Sequence, residues 1–388
     1  MNNKRKDTKG RILEKGESVR TDGTYMYRWT DANKKRQTIY ARSLNELREK
    51  ELEVLRIEKI SQLSWEDAKM TVGSLVEKYK NLKTVKTTTA KKYEYFNTVL
   101  EKINILNVPI RDIHTSDAKQ YMLMMSDLGY GYGTIQNIKS FLSPAFQMAV
   151  EDDYLLKNPF IFRLCNIIDD DRKTRVAISE EQEKSYLDFI KNHGWFKHCY
   201  ADIVILLNTG LRISELYGLT FKDIDIKNRR INVNKQLHKI DGEYVIMSPK
   251  TKAGNRILAM NDEVKNAFIS KYTDPRPRIE RIIDGHSGFV FINKDGNPKT
   301  RKNLQMSMIT IRNKAKELGA GDFSNISPHV LRHTFCSRMI EKGIDVKTLQ
   351  LIMGHSDIGT TLNVYTHKDP EDAAKTMENI LLGKASNA

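Results

Sequence analysis

Short runs of alternating apolar and polar residues open the chain, and longer runs with helical spacing follow them. Alternation over residues 16–20, 25–30 and 37–41 predicts three strands separated by turn residues. The string Ser43-Leu44-Asn45-Glu46 has the pattern of a capping box, which predicts a helix from there to about residue 60. We therefore expect residues 1–64 to form a three-stranded sheet plus a helix.

The next segment, residues 71–160, has the apolar spacing of amphipathic helices. Val72, Leu75, Val76 and Tyr79 start the pattern, and a stretch rich in glycine and tyrosine at 129–133 interrupts it. Residues 157–176, with an Asn-Pro pair and three successive aspartates, have the character of a linker. The pattern predicts a helical bundle over residues 71–160.

From residue 175 to 388 helical spacing predominates, with a β stretch inside it. Residues 230–237, 243–247 and 256–260 are predicted strands, the first two joined by a turn at Asp241-Gly242. The predicted fold class is thus mainly α with small β elements, in three domains over 1–64, 71–160 and 175–388.

The charge balance favours a polyanionic partner. The formal net charge is +15, and each phosphate contact by Lys or Arg gains affinity by releasing counterions. The first 42 residues hold twelve Lys or Arg and five Asp or Glu, which makes a nucleic-acid surface there more plausible than a solvated basic face. The candidate DNA-binding residues are Arg20, Arg28, Lys34, Lys35 and Arg36 in this segment and Lys91, Lys92 and Lys139 in the helical bundle. A membrane surface is the rival polyanion, but we find no basic amphipathic helix that core packing does not explain better.

The sequence lacks the signals of several other classes of protein. Cys165, Cys199 and Cys336 lack C-x-x-C spacing, which predicts neither a disulfide framework nor a zinc site. The sequence has no apolar run near the roughly 20 residues of a membrane span and no phosphate-binding loop for ATP. The polar N-terminus does not look like a secretory signal. We expect a cytoplasmic protein that needs no metal or other cofactor.

Three short strings hold the candidate chemistry. Arg212 follows Gly210 at a predicted helix start, and Glu215 lies on the same helical face, where it could hold the guanidinium. His329 and Arg332 share a face in SPHVLRH; His333 would complete a metal-binding pair, but an arginine between the histidines suits a phosphate clamp better. A third string holds further histidines and one tyrosine, in MGHSDIGTTLNVYTH.

Together the strings TGLRISEL, PKTKAGNR, SPHVLRHTF and LIMGHSDIGTTLNVYTH closely resemble the tyrosine recombinases of the phage-integrase family, in the family's order. The resemblance implies an α/β tyrosine-recombinase catalytic domain over 175–388. The basic β module and the helical bundle look like the arm-type and core-binding domains of integrases from conjugative transposons and temperate phages. By the resemblance the catalytic residues are Arg212, Lys250, His329, Arg332, His355 and the nucleophile Tyr365, with Lys252 as a competitor for the lysine role.

The resemblance implies a site-specific recombinase that cuts and rejoins DNA through a 3′-phosphotyrosyl link. It implies double-stranded DNA with core and arm sites as substrate, a homo-tetramer, a Holliday junction, and an accessory DNA-bending or excision protein as a further partner. The tail from Asp369 is predicted to be a helix with Ala373, Met377, Ile380 and Leu381 on one face. This face packs either against its own protomer or against a neighbouring one. The open alternatives are a topoisomerase-like relaxer with the same chemistry, a regulator that only binds DNA, and a metal-dependent nuclease, which the lack of paired carboxylates disfavours.

Overall fold

The computed structural model describes residues 5–31, 34–61, 69–83, 87–172, 176–249, 254–275, 278–354 and 359. Three of the predicted catalytic residues, Lys250, His355 and Tyr365, lie outside these ranges, as do Lys252 and the tail from Asp369. The chain divides into two compact units, Met1–Lys173 and Thr174–Ala388. Within the described ranges, no helix combines the length and apolar character that crossing a membrane requires.

The first unit begins with the predicted three-stranded sheet. Its strands are β1 (Glu17–Val19), β2 (Tyr25–Thr30) and β3 (Arg36–Ala41), antiparallel in the order β1-β2-β3. Helix α1 (Leu44–Ser61) begins where the capping box predicts, with the Ser43 hydroxyl accepting from the Glu46 N–H. A small core of Tyr25, Tyr27, Ala41, Leu44 and Leu47 packs one face of the sheet against α1, and no described part of the chain covers the other, open face.

The rest of the first unit is the predicted helical bundle. It comprises α2 (Val72–Asn81), α3 (Thr87–Lys102), α4 (Thr115–Asp127) and α5 (Tyr132–Glu151). Leu75, Leu100, Met122 and Phe146 are among the fully buried residues of its core, because the apolar positions of each helix recur every three to four residues. Residues 129–131 of the glycine- and tyrosine-rich stretch lie between α4 and α5, as turn-forming residues predict, whereas its last two residues begin α5.

The second unit is helical around small β elements. Its helices are α6 (Glu180–Asn192), α7 (Lys197–Thr209), α8 (Ile213–Gly218), α9 (Asp262–Tyr272), α10 (Arg301–Glu317), α11 (Pro328–Glu341) and α12 (Val346–Met353). Its strands are β4 (Ile224–Asp225), β5 (Arg230–Val233), β6 (Gln236–Ile240), β7 (Glu243–Met247) and β8 (Arg256–Ala259). The strands form one sheet in the order β4-β5-β8 and a separate β6-β7 hairpin. The mainly helical fold class is confirmed.

One strand prediction was wrong. Residues 230–237 are not one strand but β5 and the start of β6, and the turn at Asp241-Gly242 joins β6 to β7. The break falls at Asn234 and Lys235, whose side chains bond to the carboxylate of Asp223. Because this ion pair is buried, it holds the chain in a bend that alternation of apolar residues does not predict.

Candidate active site

The first catalytic arginine candidate stands between two helices. Gly210 caps the carboxyl end of helix α7 with a φ of 62°, the left-handed conformation that favours glycine, and Arg212 directly precedes α8. The Glu215 carboxylate accepts from the backbone N–H of Arg212 at 2.9 Å and from its Nη1 at 2.8 Å. The predicted contact between Arg212 and Glu215 is therefore present.

The second arginine candidate lies on α11, which begins as the sequence predicts. The Ser327 hydroxyl accepts from the Val330 N–H, and Pro328 occupies the first turn, where its missing N–H costs nothing. Arg332 is buried and donates to the backbone carbonyls of Gly210 and Met353. Arg332 is thereby fixed beside the end of α7 and the end of α12.

The two arginine candidates line one cavity of about 780 Å³. Arg212, His329 and Arg332 all line it, although about 120 positions separate the first from the other two. Pro249 and Gly254, which flank the segment with Lys250, also line it, as does Gly354, which precedes His355. Further lining comes from Ser214, Gln236, His238, Lys239, Arg301, Lys302 and Gln305.

The electrostatics of the cavity favour an anion. Burial, and next the positive charge of Arg212, lower the pKa of Arg332 to about 9. Burial alone would raise the pKa of Glu215, but the hydrogen bonds and charge of Arg256, together with Arg212 and Arg332, lower it below its ordinary value. One ionised carboxylate thus faces three guanidinium groups among the described residues. A phosphate diester in the cavity would supply the negative charge that these partly desolvated guanidinium groups lack.

Sequence reasoning missed Arg256. It follows Gly254 in the chain and begins β8, and its side chain, 6% exposed, donates to both Glu215 oxygens, at 3.2 and 2.8 Å. The available signal was a basic residue at the start of an otherwise apolar strand, in the same string as Lys250. Its partners are distant in sequence, so periodicity alone could not reveal them.

The arginine candidates of the first sheet share its open face. Cross-strand partners point to the same side, and Arg28 pairs with Thr38, Thr30 with Arg36. Both arginines are exposed, and so are Lys34 and Lys35 in the turn between β2 and β3. The Arg20 guanidinium lies 5.7 Å from the ring centroid of Tyr40, which is 48% exposed. The open face therefore combines three arginines with one aromatic ring.

The three lysine candidates in the helical bundle lie on α3 and α5. Lys92 donates to the side chain of Asn137 at 3.0 Å, which joins the two helices, and Lys91 precedes it on α3. Lys139 lies 4.8 Å from the ring centroid of Phe162, and burial lowers its pKa. The structure thus places Lys92 beside α5.

Comparison with known proteins identifies the class. The family model described as "Phage integrase family" matches residues 177–372, and "DNA binding domain of tn916 integrase" matches residues 1–58. Together with the fold, these matches define a site-specific recombinase of the tyrosine type, an enzyme that breaks and rejoins DNA strands. The chain belongs to the phage integrase family.

Individual relatives agree along nearly the whole chain. The transposase from transposon Tn1545 of Streptococcus pneumoniae is 37% identical, over 98% of this chain and 97% of the relative. The transposase from transposon Tn916 of Enterococcus faecalis gives the same three values.

Two of the solved structures that resemble this chain are integrases. The Tn1549 transposon integrase, in complex with a circular intermediate DNA, has a TM-score of 0.77 and 39% identity and covers 80% of this chain and 99% of that chain. A lambda integrase dimer bound to a COC′ core site, with 16% identity and a TM-score of 0.54 over 91% of this chain and 95% of that chain, shares the fold.

Proposed function

We propose that this chain is the integrase of a conjugative transposon or related mobile element, and that it cleaves and rejoins double-stranded DNA at the element's ends through Tyr365. The observation that carries the proposal is the convergence of Arg212, His329 and Arg332 on one cationic cavity. The likeness to transposases of conjugative elements over nearly the whole chain supports it.

The proposed chemistry is a transesterification at phosphorus. The Tyr365 Oη attacks the scissile phosphate, the bond from phosphorus to the 5′ oxygen breaks, and a 3′-phosphotyrosine forms. Arg212 and Arg332 stabilise the charge that collects on the non-bridging oxygens of the pentacoordinate transition state. Arginine suits this role because it remains charged and offers a planar pair of donors. The reverse attack by a 5′ hydroxyl rejoins the strand without ATP.

Proton transfers complete the step. A phenol with a pKa near 10 is a weak nucleophile at neutral pH, so His329 accepts its proton or a hydrogen bond from it. Lys250 gives a proton to the leaving 5′ oxygen as general acid. His355, the residue after cavity-lining Gly354, holds the phosphate and orients the tyrosine.

Each of the three predicted domains has its own role on DNA. Residues 1–64 bind arm-type sites through the open face of the sheet, residues 71–160 bind the core site, and residues 175–388 catalyse cleavage. Four protomers exchange strands in two steps through a Holliday junction, and an accessory DNA-bending or excision protein directs the outcome. The excess positive charge supports such extended contact with phosphates.

A trapping experiment tests the proposal. A nicked suicide duplex with the element's end is incubated with wild type and with Tyr365→Phe, in the presence of a chelator. We expect a covalent protein–DNA adduct from wild type alone. An adduct from the phenylalanine variant would overturn the assignment of Tyr365, and a strict metal requirement would overturn the mechanism. DNA binding without an adduct on any candidate end would favour a regulator.

A further inference from the structure

Three arginines hold the carboxyl end of α12. The last carbonyls of a helix lack partners within the helix and carry partial negative charge. Here Arg256 Nε donates to the Ile352 carbonyl at 2.5 Å, Arg332 to the Met353 carbonyl, and Arg212 Nη2 to the Gly354 carbonyl at 2.9 Å. Three successive carbonyls are thus each bonded to a different guanidinium, directly before His355.

Arg256 differs from the other two arginines in what it contacts. Arg212 and Arg332 line the cavity, whereas Arg256 is absent from the described residues around it. Its donors go to Glu215, to the Ile352 carbonyl and to the Gly254 carbonyl. A phosphate in the cavity would therefore meet Arg212 and Arg332 and not Arg256.

We propose that Arg256 is a positioning residue that fixes the phosphate clamp through Glu215 and the end of α12. Glu215 accepts from Arg212 and Arg256 at once, so its carboxylate cannot turn away from Arg212 without losing a buried ion pair. Arg256 also ties β8, which follows the segment with Lys250, to the carbonyl two residues before Gly354. This role rests on the proposed function, because the clamp is that of the scissile phosphate.

Two variants and one control test the role in the full chain. Arg256→Lys keeps the charge but replaces the planar guanidinium, which bonds Glu215 and Ile352 through three nitrogens, by a single ammonium nitrogen, and Arg256→Gln removes the charge. The control, Lys271→Met, breaks a comparably buried ion pair with Asp202 in the same unit, away from the residues that line the cavity. Two readouts are compared: hydrogen exchange of residues 346–354, and the single-turnover rate of adduct formation on suicide duplexes.

The duplexes differ in charge at the scissile position. One has an ordinary phosphodiester, and the other a methylphosphonate, in which a methyl group replaces one non-bridging oxygen and removes the negative charge. If Arg256 acts through the arginine clamp, its loss should slow adduct formation most on the phosphodiester, whose negative charge the clamp must neutralise. We expect Arg256→Lys to be about 10- to 100-fold slower on the phosphodiester, as for a displaced catalytic group, and much less impaired on the methylphosphonate.

The outcomes separate this inference from the proposed function. Faster exchange of residues 346–354 in either Arg256 variant, with a selective loss on the phosphodiester that Lys271→Met lacks, supports it. Unchanged exchange, or equal slowing on both duplexes, overturns it. If wild type forms no adduct on any end, the proposed function fails, and the exchange measurement still decides whether Arg256 positions α12.

Discussion

Arg332 donates a hydrogen bond to the carbonyl oxygen of Gly210, a residue 122 positions earlier in the chain. Gly210 ends α7 in a left-handed conformation that turns its carbonyl toward α11. The same glycine lies against Phe335 and Met353, the latter also bonded to Arg332. The backbone geometry of one glycine therefore positions a residue of the proposed phosphate clamp.

Gly210→Ala should consequently destabilise the protein and slow cleavage. A Cβ at this position would meet the Phe335 ring closer than real Cβ atoms approach other atoms, and the φ of 62° is strained for alanine. Gly319→Ala is the matched control, because its φ of 63° is nearly the same and no heavy atom beyond its chain neighbours lies within 4 Å of the added Cβ.

We expect Gly319→Ala to lower the free energy of unfolding by about 1–2 kcal/mol, the cost of the left-handed conformation alone. Gly210→Ala should lose about 1–3 kcal/mol more through overpacking. Urea unfolding measures both values, and adduct formation should fall in Gly210→Ala alone. Equal losses of stability in the two variants would show that the close contact relaxes at no cost.

A buried ion cluster on α7 should give the stability a pH dependence. Asp202 is fully buried and meets Lys299 at 2.7 Å and Lys271 at 3.3 Å. Burial would raise its pKa, but the two lysine charges outweigh burial and lower the pKa to about 2 from 3.8. Because the folded-state pKa is below the unfolded value, the stabilisation is complete above about pH 4 and is lost as the pH falls toward 2.

Asp202→Asn should therefore cost about 3–5 kcal/mol at neutral pH, since two buried lysines lose their counter-charge. The difference in unfolding free energy between wild type and variant should shrink between pH 4 and pH 2. Urea titrations at a series of pH values measure it. A difference that stays constant over this range would contradict the lowered pKa.

The sequence predicted those parts of the fold that local rules determine. Strand β2 follows from alternation because one face is buried against α1, and α11 begins at Ser327 because capping and Pro328 are local signals. The break at Lys235 depends on Asp223, and the role of Arg256 depends on Glu215 and Ile352, 41 and 96 positions away. These are tertiary contacts of polar side chains, which leave no period in the sequence.

The open face of the first sheet should contribute to the salt dependence of DNA binding. Each phosphate neutralised by a cation adds about −0.9 to the slope of log K against log salt. Arg28→Gln removes one exposed charge from this face, so the slope should become about 0.9 less negative on a duplex with an arm site.

Lys50→Gln is the matched control for Arg28→Gln. Lys50 has the same charge in the same segment but lies on α1, where it bonds to Glu46 at 2.8 Å. Its loss should leave the slope unchanged, because its ammonium group is bonded within the protein to Glu46 and to the Tyr40 carbonyl and lies on α1 rather than on the open face. Equal slopes for the two variants would exclude the open face as the phosphate contact.

The proposed general acid is tested by changing the leaving group. In a duplex with sulfur in place of the bridging 5′ oxygen, the departing thiolate is a far weaker base than an alkoxide and needs no proton. Lys250→Ala should slow adduct formation about 10²- to 10⁴-fold on the ordinary duplex, the range for loss of a positioned acid, and react near the wild-type rate on the sulfur duplex. Lys252→Ala, two residues along the same segment, should change neither rate. If Lys252→Ala instead shows the loss and the rescue, the proton comes from Lys252, and if neither variant is rescued, the acid is a residue outside this segment.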